Sequence, residues 1–97
     1  MIVRFDAAAD ADVSDAYNWY EDQQRGLGED FLAAVRSAVD MISEFPNAYP
    51  VIDGLARRYV LKRFPYSLYY TVQSDTLRIV ACFHGHGDPI VWKRRMR

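Results

Sequence analysis

Apolar residues recur at helical spacing along the first half of the chain and at alternate positions along much of the second. That pattern predicts two amphipathic helices followed by a sheet. Ile2 to Phe5 reads as a short strand, and Asp6 is placed to cap a helix beginning in Ala7-Ala8-Ala9. Val13, Ala16, Tyr17 and Tyr20 then follow at i, i+3, i+4 and i+7, forming one buried stripe. Arg25-Gly26 marks the helix end, because glycine readily adopts the left-handed turn. After Gly26-Leu27-Gly28, Glu29 and Asp30 occupy the first turn of a second helix, where negative charge complements the helix dipole. Its stripe is Phe31, Val35, Ala38, Ile42 and Phe45, widened by Leu32 and Val39, and Pro46 ends it. So short a connection implies an antiparallel helical hairpin.

Residues 46–56 hold two prolines, Asn47 and Asp53-Gly54, and read as a turn-rich loop. Three strands are expected next: Arg57 to Phe64, Ser67 to Val72 and Thr76 to Phe83. In the last of these, Leu77, Ile79, Ala81 and Phe83 alternate with Arg78, Val80 and Cys82. Pro65 and the turn Gln73-Ser74-Asp75 make the order an antiparallel meander. Gly85 and Gly87 open the chain again, and Pro89 suits the first turn of a short terminal helix containing Trp92. The expected fold is α+β, a single domain over residues 1–97. In it an N-terminal strand and an antiparallel sheet, four strands in all, pack on the helical hairpin.

The net charge of −1 conceals a division. Residues 1–56 carry three Lys and Arg against eleven Asp and Glu, net −8; residues 57–97 carry nine against two, net +7. A basic half of that density suits a polyanion or an acidic protein partner. The one cysteine, Cys82, excludes an internal disulfide and reads as a structural thiol in a reducing compartment. The N-terminus is charged too early for a signal peptide, and the longest apolar run, Ile79 to Phe83, cannot cross a bilayer. A cytoplasmic protein without membrane association is expected.

Arg58, Lys62 and Arg63, with Arg78, are candidates to hold phosphates. Alternation along a strand would put Arg58 and Lys62 on one face and Arg57 and Arg63 on the other, so they would not share one site. The alternative reading is a set of solvated sheet charges or of partners for the acidic helices. His84-Gly85-His86 with Asp88 offers two imidazoles and a carboxylate. No third ligand has metal-site spacing, so neither metal nor cofactor is expected. Trp19, Tyr66, Tyr69 and Tyr70 are candidates to stack on bases or to pack in the core. Lys93, Arg94, Arg95 and Arg97 make a basic end.

Trp19-Tyr20-Glu21-Asp22-Gln23, followed by Gly26-Leu27-Gly28 and Phe31, resembles the helical hairpin of the RelE/ParE superfamily of type II toxin-antitoxin toxins. The order continues with Pro46, Tyr49-Pro50, Arg57-Arg58, Leu61, Arg63-Phe64-Pro65-Tyr66, Tyr70, Phe83-His84, Asp88-Pro89 and Trp92, covering nearly the whole chain. The resemblance implies a cytoplasmic toxin neutralised by an antitoxin whose flexible tail wraps over it. Its hairpin is closer to the ParE half, which implies inhibition of DNA gyrase through protein contacts. The alternatives are a RelE-like endoribonuclease acting on ribosome-bound mRNA and a binding protein that has lost toxicity. The sequence departs from the family pattern at His86-Gly87, where many members carry two arginines, and lacks a tyrosine after Trp92. Arg58, Lys62, His84 and His86 would be catalytic only in a ribonuclease. Arg57, Arg58, Lys62, Arg63, Arg78, Lys93, Arg94 and Arg95 are the expected contacts for antitoxin or target, and the oligomeric state is left open.

Overall fold

A computed structural model describes residues 1–85 and 89–95. In chain order these form β1 (Ile2–Phe5), α1 (Ala7–Gln23), α2 (Leu27–Glu44), β2 (Val51–Asp53), β3 (Ala56–Val60), β4 (Tyr66–Gln73), β5 (Thr76–His84) and α3 (Pro89–Arg95). The sheet has five strands in the order β1-β5-β4-β3-β2, not four. It is also mixed: β1 runs parallel to β5, while every other neighbouring pair is antiparallel. The extra strand lies in the expected loop, where Gly54 (φ 52°) closes a tight β2–β3 turn. β3 stops at Val60, so Lys62 and Arg63 lie in the connection to β4 rather than on a strand.

The helical hairpin covers one face of the sheet. Ala16 and Tyr20 of α1 and Phe31, Val35, Ala38 and Ile42 of α2 are buried in one cluster with Tyr59, Leu68, Tyr70, Leu77, Ile79 and Cys82. Each large apolar side chain fully buried there, such as Phe31 or Leu77, contributes about 1.5–3 kcal/mol. The other face holds a smaller cluster of Tyr69, Val80 and Ala81 under Trp92 of α3. A register shift separates these layers. Tyr69 faces Ala81 but Tyr70 faces Ile79, leaving Val80 as an inserted bulge residue. Val80 and Ala81 therefore share a face, and Cys82 moves to the helical side, against the strict alternation read from sequence.

Two positions in the hairpin explain its tight turn. Gly26 adopts φ 90°, a left-handed conformation costly for other residues. The Glu21 carboxylate accepts hydrogen bonds from the Gly26 N–H (3.0 and 3.1 Å) and the Gly28 N–H (2.9 Å), satisfying donors that the start of α2 leaves unpaired. Gly28 sits where α2 crosses Tyr17: a Cβ there would lie 2.8 Å from the ring and 2.9 Å from the Tyr17 carbonyl oxygen. Because one of those atoms is backbone, a methyl group would force the helices apart. Gly28→Ala is expected to destabilise the fold by about 1–3 kcal/mol, read from a chemical denaturation midpoint. An unchanged midpoint would show that this crossing relaxes freely.

Asp6 stands at the N-cap of α1, yet its side chain makes no capping bond. Its carboxylate instead accepts from Arg78 Nε (3.0 Å) and Nη2 (2.8 Å). A guanidinium within reach outcompetes a backbone N–H as its donor. Phe45 departs from its expected place as well. The backbone leaves the helix there, and the ring is 48% exposed.

Candidate functional site

The bases of the second half divide into three environments. Arg57 is on the helical side of β3, opposite Tyr70, and donates to the carbonyls of Tyr49 (2.7 Å) and Asn47 (3.2 Å). It thereby holds the loop before β2. Arg78 is engaged by Asp6, and that hydrogen bond raises the pKa of its guanidinium further. Arg95 is paired with Asp12 of α1: its Nη1 and Nη2 both reach the carboxylate, the latter at 3.2 Å. The Arg95 guanidinium also lies 4.7 Å from the centre of the Phe83 ring. These three arginines are structural in their contacts.

The Asp12–Arg95 pair has a definite job. β1 covers β5 only from Thr76 to Ile79, leaving the outer edge bare beyond it. There Asp12 Oδ2 accepts the Cys82 N–H at 3.0 Å, and Arg95 Nη1 donates to the Val80 carbonyl at 3.4 Å. Two side chains thus satisfy the edge where the strand ends. Asp12 was missed as a site residue although its position carries a signal. It lies three residues after buried Ala9 and four before buried Ala16, on the inward face of α1.

Arg58, Lys62 and Arg63 form the second group. Arg58 is on the face away from the hairpin, beside Tyr69. Burial raises the pKa of that phenol, and the Arg58 hydrogen bond and charge oppose the rise. Arg63 lies 3.9 Å from Asp30, with both side chains exposed, and 5.6 Å from the Phe64 ring centre. Lys62 lines two adjoining cavities, one shared with Arg63 between α2 and the end of β3 and one shared with Arg58 beside Tyr49 and Pro50. Lys62 and Arg63 flank a cavity of about 300 Å³ floored by Ala33, Ala34, Ser37, Met41 and Tyr59. Met41, Tyr59 and Lys62 also line the second, of about 370 Å³, with Arg58 and Tyr49. Arg57 and Arg58 lie on opposite faces of β3 as alternation predicts, whereas Lys62 and Arg63 are off the strand because β3 ends at Val60.

The third group is at the end of the chain. Lys93 and Arg94 are exposed, and Lys93 Nζ is 5.8 Å from the Trp92 ring centre. His84 is exposed at the end of β5, its ring perpendicular to Tyr66 at 5.3 Å. It lines a cleft with Trp19, remote in sequence from Arg58 and Lys62 and lined by neither. His86, Asp88 and Arg97 lie outside the described residues. Among the described residues, no group of His, Cys, Asp and Glu could hold a metal ion, and no helix is long and apolar enough to cross a membrane.

Of the aromatic candidates, Tyr69 and Tyr70 are fully buried. Tyr69 stacks on Trp92 at 5.8 Å, with ring planes 22° apart, and lies 5.6 Å from Phe83. α3 thus covers the part of the free sheet face where a base would have to stack beside Arg58. Trp19 is the opposite case, being 57% exposed.

Residues 3–89 match the model of the family described as the ParE toxin of type II toxin-antitoxin system, parDE. The chain belongs to this family. The order of hairpin, sheet and terminal motifs is thereby accounted for, and the RelE/ParE resemblance falls on its ParE-like side. Among solved structures, a chain of the chromosomal ParDE TA system from P. aeruginosa has a similar fold. The TM-score is 0.66 at 21% identity, covering 89% of this chain and 97% of that one. A comparison with curated proteins gives no match. The protein is a toxin of the type II class.

Proposed function

We propose that this ParE-family toxin arrests growth in the cytoplasm by inhibiting DNA gyrase through protein contacts, and that a cognate antitoxin neutralises it. The family match over residues 3–89 carries this reading. The disposition of the bases supports it over RNA cleavage. Phosphodiester cleavage needs a cation and a proton donor converging on one phosphate. Here Arg58 and His84 line separate cavities, and the face beside Arg58 is occupied by the Trp92–Tyr69 stack.

The adjoining cavities that Lys62 shares with Arg63 and with Arg58 support the antitoxin part. A largely apolar floor with Lys62 and Arg63 at the rim, the latter 3.9 Å from Asp30, suits an amphipathic segment whose acidic residues reach Lys62. Such a segment would cover bases that have no buried carboxylate partner of their own.

With purified chain added to gyrase and relaxed plasmid, supercoiling is expected to fall in proportion to toxin added, and transcripts from an arrested culture are expected to stay intact. Full supercoiling at large toxin excess would overturn the gyrase reading. Transcripts ending in 2',3'-cyclic phosphate would replace it with the ribonuclease one.

A further inference from the structure

We infer that the cleft beside Trp19 is a receptor for an arginine side chain presented by a protein partner. The cleft has a volume of about 410 Å³ and is lined by Trp19, Tyr20, Pro65, Tyr66 and His84. It is built almost wholly of rings. Trp19 meets Tyr20 edge-on at 5.1 Å, Tyr20 meets Tyr66 at 6.0 Å, and Tyr66 meets His84 at 5.3 Å. The perpendicular packing of Trp19 on Tyr20, at 86°, leaves the indole 57% exposed rather than folded into the core. An exposed indole is the side chain that best attracts a cation lying over its face.

Charge selects the occupant. No Lys or Arg lines the cleft, and His84 is the one ionisable base in its lining. Asp15 lies four residues before Trp19 and Asp22 three residues after it, so both share its face of α1, and both are exposed. Glu21, between them in sequence, is already committed to the Gly26 and Gly28 N–H groups. Neither Asp15 nor Asp22 lines the cleft, but these two exposed carboxylates lie within about one helical turn of the indole that walls it. A planar cation that stacks on an aromatic face and donates to carboxylates in its own plane fits both features, which is the chemistry of arginine.

The acidic half of the chain is thereby given a use that the proposed antitoxin contact leaves open. The exposed carboxylates of α1 around Trp19 disfavour an acidic segment there and favour a basic one. The toxin thus presents two docking surfaces of opposite sign, the pair of cavities lined by Lys62 and the Trp19 cleft. The inference stands apart from the gyrase reading, since it concerns only what the cleft binds.

The test uses the whole chain and two blocked tripeptides, glycine-arginine-glycine and its citrulline analogue, which keeps the planar shape without the charge. The indole N–H signals of Trp19 and Trp92 are followed by NMR. The arginine peptide is expected to shift Trp19 and leave Trp92, which is buried against Tyr69, in place. The citrulline peptide is expected to bind about tenfold more weakly, and the Asp15→Asn, Asp22→Asn double variant to weaken the arginine peptide to a similar degree. Trp19→Leu, at an exposed position, should abolish the response of neighbouring signals. An unmoved Trp19 signal, equal binding of the citrulline peptide, or unchanged binding by either variant would overturn the inference.

Discussion

Asp12→Ala is expected to lower the unfolding free energy by about 3 kcal/mol, at the lower end of what breaking a buried ion pair costs. The side chains of Asp12 and Arg95 are only 16% and 24% exposed, so water replaces neither partner well. The substitution removes two things at once. It leaves the Arg95 cation without its counter-charge, and it strips the Cys82 N–H of its acceptor. Arg95→Ala should cost less, because Asp12 still accepts the Cys82 N–H. The two losses overlap, so the double variant should be more stable than the sum of the singles predicts, with a coupling of about 1–2 kcal/mol. Denaturant midpoints of the four proteins check this, and simple additivity would show that the clasp is not a unit. The fluorescence of Trp92 gives a second reading. When Arg95 loses its anchor, α3 is held over β5 chiefly by the Trp92–Tyr69 stack, and the indole should shift toward a solvent-exposed spectrum.

The same clasp shows where sequence reading stops. The helices and the β4–β5 meander were legible because each is written locally: apolar residues at three- and four-residue steps, alternation in the strands, glycine and proline at the ends. The pairing of β1 with β5 was not, since it joins residues about seventy positions apart and depends on the whole hairpin folding between them. β2 escaped because three residues, Val51–Asp53, are too few to display a period of two. The bulge at Val80 was hidden for another reason. Leu77 to Phe83 is apolar on nearly every position, so either register buries something, and the packing of Trp92 on one side decides it.

For the candidate site, residue type was readable and direction was not. Arg57, Arg78 and Arg95 are as basic as Arg58 and Lys62, yet the first three are spent on Tyr49 and Asn47 carbonyls, Asp6 and Asp12. A count of charges cannot separate a cation that holds the fold from one that faces a partner. The Glu21 carboxylate illustrates the converse. It belongs to the motif that first suggested the family, and its contacts are with the N–H groups that open α2. That part of the signature records how the hairpin turns.

Raising the pH is expected to destabilise the protein in two stages, because a buried thiol and several buried or part-buried phenols hold their protons more tightly when folded. Burial, and secondarily the nearby Asp12 charge, pushes the Cys82 thiol from 9.0 up to about 12. Burial likewise pushes the Tyr70 phenol from 10.0 up to about 12, with the Arg57 charge opposing it. Both groups are raised in the folded state, so the stability they contribute is fully present below their unfolded values and is lost as pH climbs toward the folded ones. Between pH 9 and 10 the loss comes from Cys82, and above 10 Tyr70 joins it together with Tyr20, Tyr66 and Tyr69, whose phenols burial also raises. Each group adds a slope of at most about 1.4 kcal/mol per pH unit. Denaturant midpoints measured from pH 7 upward should therefore hold level to about 9, fall, and then fall more steeply. Cys82→Ala should remove the first stage and leave the second, while tyrosinate absorbance should show buried phenols, Tyr70 among them, ionising only as the chain unfolds. Stability that declined equally in the Cys82→Ala variant between pH 9 and 10 would assign that stage to other groups, and Tyr70 ionising in the folded protein would remove it from the second.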